Sequence, residues 1–170
     1  MTFQVAGTRA RTGDPAQDRQ IFEGLKRDIK ELAEHYMLVD LARNDLARSS
    51  NPGTVEIERL AEMLLAGKVL HMATKVTSRM NGIPHLVALK NISPMGTVSG
   101  APKVRSMKII YEQEDGAHRG HYAGAVGFLS LEGNTEFVVE LRTISRRGDT
   151  LNVQAGAGIV YDSDPSREFD

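Results

Sequence analysis

Cysteine is absent from the 170-residue chain, which excludes a disulfide framework and a metal site built on thiolates. An excess of one charge is absent too, because 21 Lys and Arg residues face 22 Asp and Glu residues. Proteins that bind nucleic acid or an anionic membrane usually carry a basic patch that shifts this balance. We therefore expect neither a nucleic-acid partner nor a membrane partner.

Long apolar runs are also missing. No stretch approaches the roughly 20 apolar residues of a membrane span, and the first residues lack the apolar core of a signal peptide. Together with the lack of cysteine, this favours a cytoplasmic protein. The hydrophobic share of 41% and the charged share of 25% are typical of one globular domain, so we predict a single domain over residues 1–170.

The apolar pattern predicts helices in two regions. Asp14 and Pro15 are typical of a helix start, and five apolar residues then recur at spacings of three and four: Phe22, Leu25, Ile29, Leu32 and Tyr36. This indicates one long amphipathic helix that ends near Leu46. A second helix is expected to open at Ala101–Pro102.

Most of the remaining chain alternates in the manner of strands, and only residues 84–91 are ambiguous. The turn-forming stretches Glu132–Asn134 and Arg147–Asp149 separate the later segments and indicate hairpins. The order of helix, strands, helix, strands predicts an α+β fold with antiparallel sheets. The predicted strands are Thr54–Ile57, Lys68–Met80, Tyr122–Leu131, Glu136–Arg142 and Leu151–Tyr161.

A candidate metal site lies on the first helix. Glu31 and Glu34 are three residues apart and His35 follows directly, so these side chains share a helical face. Paired carboxylates suit a hard cation such as Mg²⁺, which prefers oxygen ligands. The alternative is a solvated acidic face, because acidic pairs are common on exposed helices.

Two glycine-containing segments are candidate binding elements. Pro94–Lys103 combines two glycines, two hydroxyls and a lysine at a helix start, where backbone N–H groups can bind an anion; the alternative is an ordinary turn capped by Ser99. Gln154–Ile159 places small residues in an apolar segment, which indicates close approach of a ligand or, alternatively, a bulge.

Three single residues carry chemistry that either a site or the scaffold could use. His71 lies in a predicted strand and is an acid–base candidate or a structural histidine. Arg142 follows Glu140 by two residues, so it is either half of a surface pair or a guanidinium that binds a carboxylate through two hydrogen bonds. Tyr122 can donate its hydroxyl to a ligand or pack in the core.

Three motifs in order give the chain a family resemblance that extends from about Val5 to Asp170. The segments Glu34–Leu46, Gly96–Lys103 and Gln154–Val160 resemble the motifs of the chorismate-utilising enzymes. The resemblance implies an α/β sandwich of antiparallel sheets flanked by helices, present here in part. It also implies chorismate as substrate and Mg²⁺ as cofactor.

The resemblance assigns roles residue by residue. It implies metal binding by Glu34, with Glu31 and Glu168 beside the ion, and places His71 near the leaving hydroxyl of the substrate. Thr97 is the second catalytic candidate and a substrate contact. The implied substrate-binding residues are Gly100, Tyr122, Arg142, Gly156, Ala157 and Gly158.

The first motif position bears on the reaction. Val5–Arg9 resembles the anthranilate synthase form, whereas aminodeoxychorismate enzymes usually have a lysine nucleophile where this chain has Ala6. A methyl group cannot attack a substrate. The resemblance therefore implies a lyase that makes anthranilate and pyruvate from chorismate and ammonia, in the first step of tryptophan biosynthesis. A glutamine amidotransferase partner would supply the ammonia.

Other activities and an inactive scaffold stay open. A 2-amino-2-deoxyisochorismate synthase and an aminodeoxychorismate synthase component I are the alternative enzymes. Members of the family are usually longer at both ends, and their pattern continues with a further metal-binding glutamate just after Asp170. We therefore expect a truncated catalytic domain, for which the non-enzymatic alternative is an incomplete folding or interaction module. A homo-oligomer is compatible with the sequence.

Overall fold

The computed structural model describes residues 1–161 and 163–169, and the chain divides into two compact units. The first unit is Met1–Ile92 and the second is Ser93–Asp170. Both units combine helices with antiparallel strands. The predicted α+β class with antiparallel sheets is therefore confirmed.

The first unit is built on a three-stranded antiparallel sheet. Its strands are β1 (Thr2–Ala10), β2 (Glu56–Ala66) and β3 (Val69–Thr77), in the order β1-β3-β2. The central β3 is the most buried strand, because it has a hydrogen-bonded neighbour on each side. The predicted strand over Thr54–Ile57 is much longer in the structure, where β2 continues to Ala66.

Two helices replace the single long helix that the apolar spacing predicts. Helix α1 spans Pro15–Leu25 and helix α2 spans Ile29–Ala47, so the prediction of one helix to about Leu46 is wrong. The reason is Asp28, whose carboxylate accepts hydrogen bonds from the backbone N–H groups of Lys30 and Glu31 and caps a new helix. Helix α3 spans His85–Ile92 and resolves the ambiguous segment.

Buried apolar side chains hold these helices against the sheet in two clusters. Burying one such side chain fully contributes about 1.5–3 kcal/mol. The first cluster joins α1 to the strands, and the second joins α2 to Val76 of β3. The clusters are Phe22, Leu25, Ala61, Leu70 and Met72, and then Val39, Ala42, Leu46 and Val76.

A buried carboxylate fixes the connection between β1 and α1. Asp18 accepts hydrogen bonds from the backbone N–H of Thr12 at 2.8 Å and from the Arg11 guanidinium at 3.1 Å. The Thr12 N–H, followed by Arg11, lowers the pKa of the Asp18 carboxyl group below its usual value. The entry into α1 is therefore held by a charged group that stays ionised near neutral pH.

The described part of the second unit contains three helices. The short helix α4 spans Gly96–Ser99, α5 spans Lys103–Gln113 and α6 spans Pro165–Phe169. Helix α5 begins directly after Pro102, as the sequence predicts. None of the helices in the described part of the chain combines the length and the apolar composition of a membrane span.

Two antiparallel hairpins are the other regular elements among the described residues of the second unit. Strands β4 (Ala125–Leu129) and β5 (Thr135–Val139) form one, and β6 (Ile144–Arg147) and β7 (Thr150–Val153) form the other. The predicted turns lie between the strands of each pair. All three predicted strands are too long, however. The third ends at Val153, and the Gln154–Ile159 segment that follows has no regular structure, because its glycines disfavour an ordered strand.

Candidate active site

A β-bulge at Gly7 organises the candidate site in the first unit. In the register of β1 with β3, Ala6 faces Met72 and Thr8 faces His71, so Gly7 is the extra residue between them. Gly7 has a φ of +68°, a left-handed conformation that strains residues with a side chain. A Cβ atom at Gly7 would lie 3.0 Å from Leu25 Cδ1 and 3.1 Å from Glu31 Oε2.

The bulge holds the imidazole of His71. His71 is 8% exposed, and its Nδ1 lies 3.0 Å from Thr8 Oγ1 and 3.2 Å from the Gly7 carbonyl oxygen. Both contacts join residues that are more than 60 positions apart in the chain. The sequence predicts His71 in a strand, which is confirmed, but it does not predict these partners.

The same bulge lies beside the first carboxylate of α2. Arg9 of β1 donates hydrogen bonds to Glu31 Oε1 at 3.1 Å and to Asp28 Oδ2 at 3.4 Å. Arg9 and Thr8 are residues of this site that sequence reasoning missed. Their signal is the glycine within the Val5–Arg9 strand, since an interior glycine often marks a bulge with a ligand or backbone close by.

The second carboxylate and the histidine of this helix have different surroundings. Glu34 is about one-third exposed, and its carboxylate lies 3.9 Å from Lys30 Nζ. His35 is fully buried, and its Nε2 lies 2.6 Å from Thr74 Oγ1. Burial lowers the pKa of the His35 imidazole. His35 therefore joins α2 to β3, while Glu34 remains accessible to solvent.

Glu31 and Glu34 have the right chemistry for a hard divalent cation. They project from one face of α2 at a spacing of three residues, and both are partly exposed. Magnesium usually takes one or two protein carboxylates and completes its octahedron with water and substrate oxygens. The pair fits that demand, although no cluster of three or more His, Asp or Glu side chains at metal-binding distance occurs among residues 1–161 and 163–169.

The predicted anion corner lies at the start of the second unit. Thr97 is exposed on the four-residue helix α4, and Gly100 follows with a φ of +90°. A Cβ at Gly100 would meet Ser106 Oγ at 3.0 Å, so the chain passes close to α5 here. The alternative with Ser99 as a cap is wrong, because its hydroxyl donates back to the Met95 carbonyl at 3.0 Å.

Tyr122 and Gly156 are neighbours in the second unit. A Cβ at Gly156 would lie 2.7 Å from the Tyr122 hydroxyl oxygen, and Ala157 and Gly158 continue the same exposed segment. Tyr122 also lines a cavity of about 370 Å³, together with the cationic side chains of Arg119, Arg146 and Arg147. The tyrosine hydroxyl therefore lies against the backbone of the small-residue segment.

Arg142 does not form the surface pair that its spacing from Glu140 allows. The Glu140 carboxylate lies 3.9 Å from His121 Nδ1 instead, and Arg142 has no ion-pair partner within the described parts of the chain. Arg142 is exposed and lies three residues beyond the end of β5, with a φ of +54°. Its guanidinium is accordingly available to a carboxylate.

Glu168, the third predicted metal ligand, lies on the five-residue helix α6. Its backbone N–H donates to the Asp164 carbonyl at 3.0 Å, and its side chain is partly exposed. Its part in metal binding stays a prediction, as do the roles of the other site residues. Asp170, where the motif continues in the family, lies outside the described residues.

A family comparison agrees with the resemblance seen in the motifs. The model of the chorismate binding enzymes matches residues 1–170, and the chain belongs to this family. Its sequence is 49% identical over 169 residues to anthranilate synthase component 1 of Streptomyces coelicolor, covering 99% of this chain and 33% of that protein. The chain thus spans about a third of the length of this relative.

Solved structures show the same architecture. Anthranilate synthase component I from Streptococcus pneumoniae superposes with a TM-score of 0.84 at 40% identity, over 98% of this chain and 39% of that one. The menaquinone-specific isochorismate synthase MenF from Escherichia coli also superposes with a TM-score of 0.84, at 30% identity over 99% of this chain and 38% of that one. An anthranilate synthase component and an isochorismate synthase therefore share the fold of this chain.

Proposed function

We propose that the protein carrying this chain is an anthranilate synthase, which converts chorismate and ammonia to anthranilate, pyruvate and water. The observation that carries the proposal is the position of His71 and of the Glu31 carboxylate of α2 beside the same Gly7 bulge. The 49% identity to an anthranilate synthase component 1 supports it. The proposal includes a cytoplasmic location and a role in the first step of tryptophan biosynthesis.

The reaction divides into two steps whose atoms balance. Ammonia forms a bond to C2 of chorismate, and the C4–oxygen bond breaks so that the hydroxyl leaves as water after taking a proton. The resulting 2-amino-2-deoxyisochorismate then loses its enolpyruvyl group as pyruvate, and loss of the C2 proton makes the ring aromatic. The chain must therefore supply a proton donor at the leaving oxygen and hold the substrate carboxylates.

We assign the proton donor to His71 and carboxylate binding to residues of the second unit. His71 can act as the general acid because the bulge fixes the orientation of its imidazole through Nδ1. Arg142 offers two parallel N–H donors to a carboxylate, and Tyr122 offers a hydroxyl. Thr97 and the backbone at Gly100, Gly156, Ala157 and Gly158 would complete the substrate contacts.

Glu31, Glu34 and Glu168 are the proposed ligands for Mg²⁺, either directly or through water. The bound ion would offset the negative charge of a chorismate carboxylate and help to orient it. The partner in this proposal is a glutamine amidotransferase subunit, which would deliver the ammonia. The word component in the name of the Streptomyces relative supports a multi-subunit enzyme.

Product analysis of the full-length protein tests the proposal. We expect anthranilate fluorescence with chorismate, ammonium and Mg²⁺, and loss of that signal with EDTA. Glu34→Gln should abolish most of the activity, whereas Glu23→Gln on the exposed face of α1 should not. Accumulation of 2-amino-2-deoxyisochorismate without anthranilate would instead identify the enzyme that stops at that product.

Mass spectrometry of the intact protein under turnover provides a second test. Because Ala6 lies where the aminodeoxychorismate enzymes place a nucleophilic lysine, no substrate should become attached to the protein. A persistent adduct derived from chorismate would contradict the anthranilate proposal. Absence of any product would favour an inactive scaffold.

A further inference from the structure

The two contacts of His71 Nδ1 decide which ring nitrogen carries the proton. The Gly7 carbonyl oxygen, at 3.2 Å, can only accept a hydrogen bond. Nδ1 must therefore be the N–H nitrogen of the neutral imidazole for this bond to form. The Thr8 hydroxyl oxygen, at 3.0 Å, then accepts from the same N–H as a second acceptor.

The other nitrogen is left available by this arrangement. His71 Nε2 has no hydrogen-bond partner within residues 1–161 and 163–169, although the side chain is only 8% exposed. In a neutral imidazole with its proton on Nδ1, the Nε2 lone pair can accept a proton. In the protonated imidazole, Nε2–H can donate one.

The backbone explains why both acceptors lie near the same nitrogen. The bulge leaves Thr8 opposite His71 in the register and inserts Gly7 before it, with φ at +68°. A regular β1 would place a single residue opposite His71. Here two consecutive residues of β1 contact it, one through its side chain and one through its carbonyl group.

We propose that Thr8 is a positioning residue which, with the Gly7 carbonyl, holds His71 in the tautomer protonated on Nδ1 and reserves Nε2 for proton exchange with the substrate. The inference rests on the proposed function for the identity of the substrate proton acceptor. Because the tautomer is fixed, the imidazole does not have to move its proton from one ring nitrogen to the other before each proton transfer. Thr8 itself does not touch the substrate in this scheme.

Substitutions of Thr8 separate its hydroxyl from its volume. Thr8→Val keeps the branched shape and removes the acceptor, whereas Thr8→Ser keeps the hydroxyl. In the full-length protein, Thr8→Val should lower kcat for anthranilate formation about 3- to 10-fold and leave the KM for chorismate within about 2-fold, in line with the loss of one hydrogen bond. Thr8→Ser should retain most of the kcat.

A control variant shows whether a Thr→Val change in strand β1 lowers activity merely by altering the stability of the strand. Thr2→Val makes the same change in the same strand β1, where the hydroxyl accepts a hydrogen bond from the Gln4 side chain at 3.2 Å and does not contact His71 among the described residues. Its kcat should match the wild type. Equal losses of kcat in Thr8→Val and Thr2→Val would overturn the proposal, because the hydroxyl would then act only through strand stability. So would equal kcat values for Thr8→Val and Thr8→Ser.

A spectroscopic measurement tests the tautomer without substrate. Long-range ¹H–¹⁵N correlation of ¹⁵N-histidine-labelled full-length protein at about pH 8.5, where the neutral imidazole predominates in model peptides, reports which nitrogen is protonated. The signal of His71 is the one missing from a His71→Gln sample. We expect protonated Nδ1 in the wild type and a smaller share of that tautomer in Thr8→Val, because the Gly7 carbonyl alone then accepts from Nδ1–H. Protonated Nε2 in the wild type would overturn the proposal. Wild-type protein that makes no anthranilate overturns the proposed function and is recognised before any variant is compared.

Discussion

Arg9 shows how one residue sets the charge of the candidate metal site. Its guanidinium lies within 3.4 Å of Asp28 Oδ2 and 3.1 Å of Glu31 Oε1, and both Arg9 and Glu31 are partly exposed. Ion pairs with such exposure usually contribute about 0–1 kcal/mol. Glu31 can therefore exchange Arg9 for a divalent cation at little cost. Until then, Arg9 keeps the carboxylate from facing its acidic neighbours uncompensated.

Arg142 allows a test of substrate binding by a single side chain. Arg142→Lys keeps the charge but loses the planar pair of donors, so it should not be conservative in the full-length enzyme. We expect kcat/KM for chorismate to fall by the equivalent of about 1.5–3 kcal/mol, the range for hydrogen bonds to charged groups. Steady-state kinetics measure this directly.

The matched control for Arg142 is Arg59, which is exposed on β2 near Glu62. Arg59→Lys should leave both kinetic constants unchanged. Unchanged constants in Arg142→Lys as well would remove this residue from the substrate site.

For single residues, the sequence predicts which side chains belong to the candidate site better than it predicts which residues they contact. It identifies His71, Glu31 and Glu34 as candidates because their chemistry is visible in the residue type and the local spacing. Thr8 remains invisible as a partner of His71, because the contact depends on the pairing of strands that lie 63 positions apart. For Arg142, local spacing is misleading. Its distance of two residues from Glu140 suggests an ion pair, but the backbone at Arg142 is left-handed and Glu140 contacts His121 instead.

In the first unit, the bulge of β1 at Gly7 lies beside the first turn of α2. Asp28 and Glu31 occupy the N-cap and third positions of α2, the spacing of a capping box. This local signal explains why α1 and α2 are separate helices. The apolar spacing continues across the break at Lys26–Asp28, so periodicity alone predicts one helix. The restart places Glu31 in the first turn, beside Gly7.

Gly7→Ala tests whether the bulge and α2 depend on each other. The added methyl group would strain the left-handed backbone, at a cost of about 1–2 kcal/mol, and would crowd both Leu25 and Glu31. Thermal or urea unfolding should therefore show a clear loss of stability. Mg²⁺ affinity, measured by isothermal titration, should fall as well, because Glu31 must move.

Gly67→Ala separates the cost of backbone strain from the cost of crowding neighbouring side chains. Gly67 has a φ of +58° in the turn between β2 and β3, and a Cβ there would meet nothing within 4 Å. It should show the backbone cost alone and normal Mg²⁺ affinity. Equal destabilisation in the two variants would mean that the contacts of Gly7 with Leu25 and Glu31 are unimportant.

Over the whole chain, the two units differ in how much apolar surface they bury. Both hydrophobic clusters lie within Met1–Ile92. In the described part of the second unit, only Gly96, Ser99 and Lys103 are buried, while apolar strand residues such as Phe128 and Val153 are 55% and 71% exposed. Two-stranded hairpins without a packed face are marginally stable in water. The sequence predicts these strands from their alternation, but alternation alone does not reveal what packs against them.

This difference predicts how the 170-residue chain behaves when it is produced by itself. Hydrogen exchange should be slow in β3, which is buried between two strands, and fast in β4 and β5, which lack a packed core. The same sample supplies the control, because both units experience the same conditions. The isolated chain should also form little or no anthranilate, because the proposed contacts at Tyr122, Arg142 and Gly156 all belong to the second unit. In a full-length protein of the size of the relatives, we expect slow exchange in both units and full activity, since further chain can cover the exposed strands. Slow exchange in β4 and β5 of the isolated chain, together with robust turnover, would show that the second unit needs no such cover.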